Sequence, residues 1–228
     1  MTVNALVIAA HPDDEVLGCG GTVARMSAEG HQVHIAILGE GITARHVDRS
    51  DADTKAMDAL HSHANRAGQI LGAISVEVLD LPDNRFDTVP MLDINKRVEQ
   101  LIERHHPEVI YTHHAGDLNL DHVITHRAVM TATRPMSKSA VKAIYAFEIA
   151  SSSEWAFDSV GPTFAPNTFV DIEKFIDAKC EAMSAYESEA RDFPHPRSTP
   201  ALRAQATRWG AACGRAAAEA FQLIRDIR

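Results

Sequence analysis

From Val3 to Ala10 the chain is almost continuously apolar and carries β-branched residues, the pattern of a parallel strand covered on both faces. Residues 16–29 then read as a helix that opens through Gly18-Cys19-Gly20-Gly21 and stops at Gly30. His31 to Leu38 alternates as a second strand. A long helical pattern over 51–71 ends near Gly72 and leads into a short strand from Ser75 to Leu79. Leu92 to His106 is helical and stops before Pro107, Glu108 to Thr112 is a buried strand, Leu120 to Thr133 is a helix ended by Pro135, and Lys142 to Ile149 alternates again. This rhythm predicts an α/β fold, with a mostly parallel sheet, helices on both faces and right-handed crossovers.

After residue 150 the rhythm changes. Ser151-Ser152-Ser153 and the stretch Gly161 to Pro166 are loop-like, and Thr168 to Asp171 suits an edge strand. Two helices follow, Glu173 to Glu189 and an alanine-rich one from Thr199 to Ile227, with Gly210 and Gly214 as its points of interruption. Between them Phe193-Pro194-His195-Pro196-Arg197 forms a rigid loop. No internal repeat and no Gly/Ser/Pro-rich linker divides the chain, so one domain over residues 1–228 is expected.

Composition narrows the function classes. The 228 residues carry a formal net charge of -9 with no basic run, which argues against a nucleic-acid partner. Three widely spaced cysteines, with no C-x-x-C pair, exclude a disulfide framework and a thiolate zinc knuckle and fit a reducing cytoplasm. The apolar run at residues 5–10 is too short for a signal peptide or a membrane span. Histidine, with 13 copies, raises the expectation of metal or acid–base chemistry above that of scattered surface imidazoles.

In open α/β sheets ligands bind beyond the carboxyl ends of the strands. The first strand delivers His11-Pro12-Asp13-Asp14-Glu15 there. Three adjacent acids repel one another unless a cation compensates them. An acidic helix start explains Glu15 through the macrodipole but leaves His11 unexplained. Histidine plus aspartate suits zinc, whereas an all-oxygen cage suits magnesium or calcium. Neighbouring residues in such a turn point apart, so one of Asp13 and Asp14 binds the metal while the other faces its water. Gly18-x-Gly20-Gly21 lacks G-x-G-x-x-G spacing and follows acids, so these glycines serve close helix–sheet packing, not a phosphate. A second cluster, from His113-His114 through Asp117, Asn119, Asp121 and His122 to His126, emerges on the same sheet edge. Its helical pair His122 and His126 would share one face, and Asp121 is placed to orient an imidazole.

The segment Ala10-His11-Pro12-Asp13-Asp14-Glu15, its Gly-rich sequel and Asp121-His122 resemble the PIG-L/LmbE-like de-N-acetylase family. The match is most specific over residues 5–40 and 108–135 and looser over 142–228. The resemblance implies a Rossmann-like three-layer α/β sandwich and a zinc (Zn2+) hydrolase that removes acetyl groups from N-acetylglucosamine-type sugars, nucleotide-linked ones included. It implies His11, Asp14 and His122 as metal ligands and Asp13 as general base. Many family members have His-x-Asp-His where this chain has Asn119-Leu120-Asp121-His122. Asn119 can donate a hydrogen bond to an oxyanion but cannot act as an acid. If an acid other than Asp13 is needed, His113, His114 or His195 must supply it, and the sequence does not choose among them, with His114 named among the catalytic candidates. Arg45, His195 and Arg197 are candidate substrate contacts, and His126 with Asp121 would support the ligands. Alternatives are an amidase acting on a larger acyl or thiol-conjugate amide, or a metal-binding module without catalysis. The alanine-rich last helix is a candidate surface for homo-oligomer formation.

Overall fold

The computed structural model describes residues 2–45, 48–49, 53–136, 140–157 and 159–228. A seven-stranded sheet runs in the order β3-β2-β1-β4-β5-β7-β6. Its strands are β1 (Asn4–Ala9), β2 (Gln32–Gly39), β3 (Ser75–Leu81), β4 (Val109–His113), β5 (Ala143–Phe147), β6 (Thr168–Asp171) and β7 (Ala218–Asp226). The first five pair in parallel, and β7 runs antiparallel to both of its neighbours. The fold is thus a Rossmann-like α/β architecture with a mostly parallel sheet.

Strand alternation divides the core. Ala5, Val7 and Ala9 of β1, with Val33, Ile35 and Ile37 of β2, pack in one layer beside α1 (Asp14–Ala28), α2 (Thr54–Leu71) and α5 (Ile176–Ala185). Leu6 and Ile8, with Ala36 and Leu38, face the opposite layer, where α3 (Met91–His105) packs on α4 (Leu120–Ala132). Because both faces of β1 are covered, its Leu6 and Ile8 are fully buried, each contributing about 1.5–3 kcal/mol by removal from water. Helix boundaries follow local chemistry: Asp53, Asn119 and Ser198 cap α2, α4 and α6 (Thr199–Cys213), and Gly72 ends α2 at φ 74°. Residues 51 and 52, where the pattern placed the start of α2, lie outside the described residues.

The chain departs from expectation after α6. Gly214 closes that helix at φ 74°, and residues 218–226 enter the sheet as β7, not as further helix. The run Ala-Glu-Ala-Phe has helical propensity, but pairing with β5 on one side and β6 on the other overrides it.

Strand order reverses at β1. The chain proceeds outward through β2 and β3, then returns to lay β4 against the free side of β1. The carboxyl ends of β1 and β4 therefore open side by side, the position where such sheets bind ligands.

Candidate functional site

The turn after β1 sends its three acids in three directions. Asp14 N–H donates to His11 C=O at 3.2 Å, and His11 N–H donates to Asp14 Oδ2 at 2.8 Å. Asp13 sits at φ 104°, ψ −24°, a conformation that costs a non-glycine residue free energy. Its N–H donates to Glu15 Oε2 at 3.1 Å, and Glu15 Oε1 accepts from the Tyr186 hydroxyl at 2.5 Å. Glu15 thus turns into the core and braces the turn, Asp14 faces the histidines, and Asp13 faces Arg197, whose Nη1 lies 2.7 Å from its Oδ2.

His11 Nδ1, Asp14 Oδ2 and His122 Nε2 converge. The two nitrogens are 3.3 Å apart, and the carboxylate oxygen is 3.4 Å from the first and 3.2 Å from the second. A tetrahedron with arms of about 2.0–2.1 Å, the zinc–nitrogen and zinc–oxygen bond lengths, has edges of about 3.3 Å, so these atoms fit three corners of a metal site. The outward nitrogens also face carboxylates. His11 Nε2 is 3.0 Å from Asp121 Oδ2 and 3.4 Å from Asp83 Oδ1, and His122 Nδ1 is 3.0 Å from Asp117 Oδ1. An imidazole between a carboxylate and a shared centre is the usual support of a metal-binding histidine. Among the described residues this is the cluster of His, Cys, Asp and Glu that could hold a metal ion.

The charges fit a cation. Burial alone would pull His11 down, but Asp121 and Asp14 outweigh it and carry its pKa up to about 10. Burial likewise opposes the charge on His122, yet Asp14 and Asp117 raise it to about 9. Burial works against ionised Asp14 too, and the facing His122 and His11 hold it well below the usual carboxylate range. Without a metal, protons on the histidines supply the positive charge that these acids demand. Asp13 differs: burial pushes its carboxyl above the normal range, and Arg197 only partly offsets this.

A cleft of about 250 Å³ opens over this centre, lined by Asp13, His11 and His122 at its base and by Arg45, Asp83, Asn84, Asn119, Ser151, Glu189 and Arg197 around them. Arg45 ion-pairs with Glu189, which also lies 3.2 Å from Arg197 Nη1. Arg197 Nε donates to Ser151 Oγ at 2.8 Å. Asn119 caps α4 through its Oδ1 and donates one amide N–H to Asn84 Oδ1 at 2.8 Å.

The histidines proposed as acids are placed elsewhere. His114 Nε2 sits 2.7 Å from Pro162 C=O and its Nδ1 3.2 Å from Gln222 Oε1, pinning the loop around Gly161 and not lining the cleft. His195 packs edge-on to Trp155 at 6.1 Å and also lies outside the lining. His113 is fully buried, accepts from Ala10 N–H at 2.8 Å, and is held neutral by burial and by His122. His126 Nδ1 lies 2.8 Å from His113 C=O, one layer behind the His11–Asp14–His122 cluster, and Asp121 stands against His11, not its sequence neighbour His122. Asp83 and Glu189, which the sequence did not mark, also line the cleft, and Asp117, named only as a member of the second cluster, stands against His122. The proximity of Asp117 to His122 along the chain was a signal, but only the α4 cap and the hydroxyls of Ser152 and Ser153, both donating to Asp117, aim its carboxylate.

Comparison with known proteins adds four findings. The family model PIG-L, described as GlcNAc-PI de-N-acetylase, matches residues 6–133. Among curated relatives, the diacetylchitobiose deacetylase of Thermococcus kodakarensis is 25% identical over 98% of this chain and 84% of its own length. The 4-oxalmesaconate hydratase of Pseudomonas putida is 30% identical over 79% and 71%. Among solved structures, the conserved protein TT1542 from Thermus thermophilus superposes with a TM-score of 0.77 at 26% identity, covering 100% of this chain and 97% of that one.

Proposed function

The chain belongs to the PIG-L family of de-N-acetylases, and from that premise we propose that it is a zinc-dependent hydrolase removing the acetyl group from an N-acetylated amino sugar or sugar conjugate. The reading is carried by the convergence of His11 Nδ1, Asp14 Oδ2 and His122 Nε2 beside the buried carboxyl of Asp13, at the base of an open cleft. Two imidazole nitrogens and one carboxylate oxygen suit zinc over the all-oxygen cations. Bound there, zinc would polarise the amide carbonyl and lower the pKa of a water molecule to roughly 7.

The chain's own residues do the rest. Asp13 takes the proton of the attacking water, and Arg197 fixes the orientation of its carboxylate. The second amide N–H of Asn119 donates to the developing oxyanion. Asp13 then returns the proton to the leaving amine, since His113, His114 and His195 do not line the cleft. A carboxyl whose pKa burial has raised is suited to both transfers. Arg45 and Arg197 contact polar groups of the substrate. The whole chain, residues 1–228, acts as one domain, because Asp13 and its partner Arg197 come from its two ends.

Acetate release from N-acetylglucosamine, diacetylchitobiose and nucleotide-linked N-acetylated sugars, assayed with and without zinc, tests the proposal. A zinc-free protein that releases no acetate from any of them would overturn it in favour of a non-catalytic module. The 30% identity to a hydratase supports a second reading, addition of the activated water to an unsaturated acid whose carboxylates pair with Arg45 and Arg197. Incubation with such an acid, followed by loss of its ultraviolet absorbance, separates the two.

A further inference from the structure

Helix α1 is broken just after it leaves the metal-site turn: Cys19 has φ −148° and ψ 20°, outside the helical region. A break strips the amides after it and the carbonyls before it of their helical partners. Gly21 N–H, whose helical acceptor would be Leu17 C=O, donates to Glu219 Oε1 at 2.9 Å, and Thr22 N–H donates to Glu219 Oε2 at 2.7 Å. Leu17 C=O accepts instead from Lys179 Nζ at 2.8 Å, and that nitrogen lies 2.6 Å from Glu219 Oε1. An ion pair contributed by β7 and α5 is therefore inserted where one helical hydrogen bond would be. Its polarity matches at each contact, with an acceptor at the amides and a donor at the carbonyl.

Both side chains are about 95% buried, at 5% and 4% exposure. A buried pair adds little stability over apolar residues of the same volume, so stability alone is a poor account of it. Beside the pair, Gly21 lets α1 pack closely on the segment before α5: a Cβ there would lie 2.7 Å from Ile172 Cδ1. The segment before the break, Asp14–Gly18, carries the ligand Asp14 and the brace Glu15.

We infer that the Lys179–Glu219 pair is a positioning element for the metal site, spanning the break in α1 and fixing the direction of the segment that presents Asp14. The inference rests on the metal reading proposed above. Lys179→Met combined with Glu219→Gln removes both charges at nearly constant volume. Its affinity for Zn2+, measured by competition with a chromophoric chelator, falls by about 10–100-fold. Its kcat at saturating zinc falls by about a hundredfold, as for a displacement near 1 Å, while KM stays within about twofold. Glu219→Gln alone keeps one acceptor for Gly21 and gives a smaller loss in the same direction. Val98→Ala, a cavity in the opposite core layer, lowers the melting temperature but keeps metal affinity and kcat. A double variant, or a Glu219→Gln variant, that melts lower yet binds zinc and turns over like the wild type overturns the inference. So does a Val98→Ala variant with the same loss of metal affinity. A wild-type chain that binds no zinc overturns the metal reading itself, and this inference with it.

Discussion

Asp13 and Asp14 are adjacent, equally buried and chemically identical, yet they face different partners: Asp14 faces two imidazoles and Asp13 a guanidinium. The positive φ of Asp13 makes this division, because it rotates the two side chains away from each other. Under the proposed mechanism Asp13→Ala removes the proton carrier and leaves the proposed ligands: metal content by mass spectrometry stays near one ion per chain, while acetate release falls by about 10²–10⁴-fold. Asp117→Asn acts on the metal instead, weakening zinc affinity by about 10–100-fold through the orientation of His122, as read by chelator competition. The pH dependence has a definite sign. In the metal-free chain His11 and His122, with pKa values of about 10 and about 9, are both protonated at pH 7. A metal must displace both protons, so affinity rises with pH, by up to about a hundredfold per unit below pH 9. Titration calorimetry in two buffers of different ionisation heat counts the protons released; a count of zero would contradict the charged pair. The clustering of these residues at two strand ends was visible in the sequence because it is local in the chain. The pairing of Asp117 with His122, and the withdrawal of His114 and His195 from the cleft, depend on where Ser152, Ser153, Trp155 and Pro162 settle, which no spacing encodes.

The elements show the same division between local and distant causes. Strands β1 to β5 and helices α1 to α4 follow from apolar period and stop residues, and the structure shifts their ends by only a few residues. Strand β7 does not, because alanine and glutamate favour helix in isolation and only its two partner strands make it extended. Its first four residues are all buried, so the alternation that marks a half-exposed strand is absent there. In α1 the glycines read as packing residues do pack: a Cβ on Gly18 would meet the Phe147 ring at 2.4 Å. Gly18→Ala is expected to cost about 1–3 kcal/mol by overpacking, seen as an earlier midpoint in urea with an unchanged slope. An unaltered midpoint would show that Phe147 yields freely.

At the scale of the molecule, the reversal of strand order at β1 was foreseeable from the β-α rhythm, and it places both halves of the His11–Asp14–His122 cluster on one edge. The contribution of the chain beyond residue 150 was less so, since Arg197 and Glu189 reach the site, and Lys179 and Glu219 the break in α1, from loops and elements of weak periodicity. No helix among the described residues is long and apolar enough to cross a membrane. Zinc at a hundredfold excess over its Kd should add about 2.7 kcal/mol to stability, raising the melting temperature by about 5–11 °C. A chelator should reverse the gain, and a melting temperature indifferent to both would argue against a metal held by the folded state alone. Strand β7 carries a further consequence, for the order of synthesis. It is made after every strand that it joins, yet it lies between β5 and β6, and β6 has no other hydrogen-bonded neighbour in the sheet. A ribosome that has released the chain only as far as α6 has exposed both ligand-bearing strand ends but not Glu219. Until Ala218–Asp226 emerges, β5 presents an open edge and β6 stays unpaired, so a premature stop before Ala218 would leave a sticky, unfinished sheet.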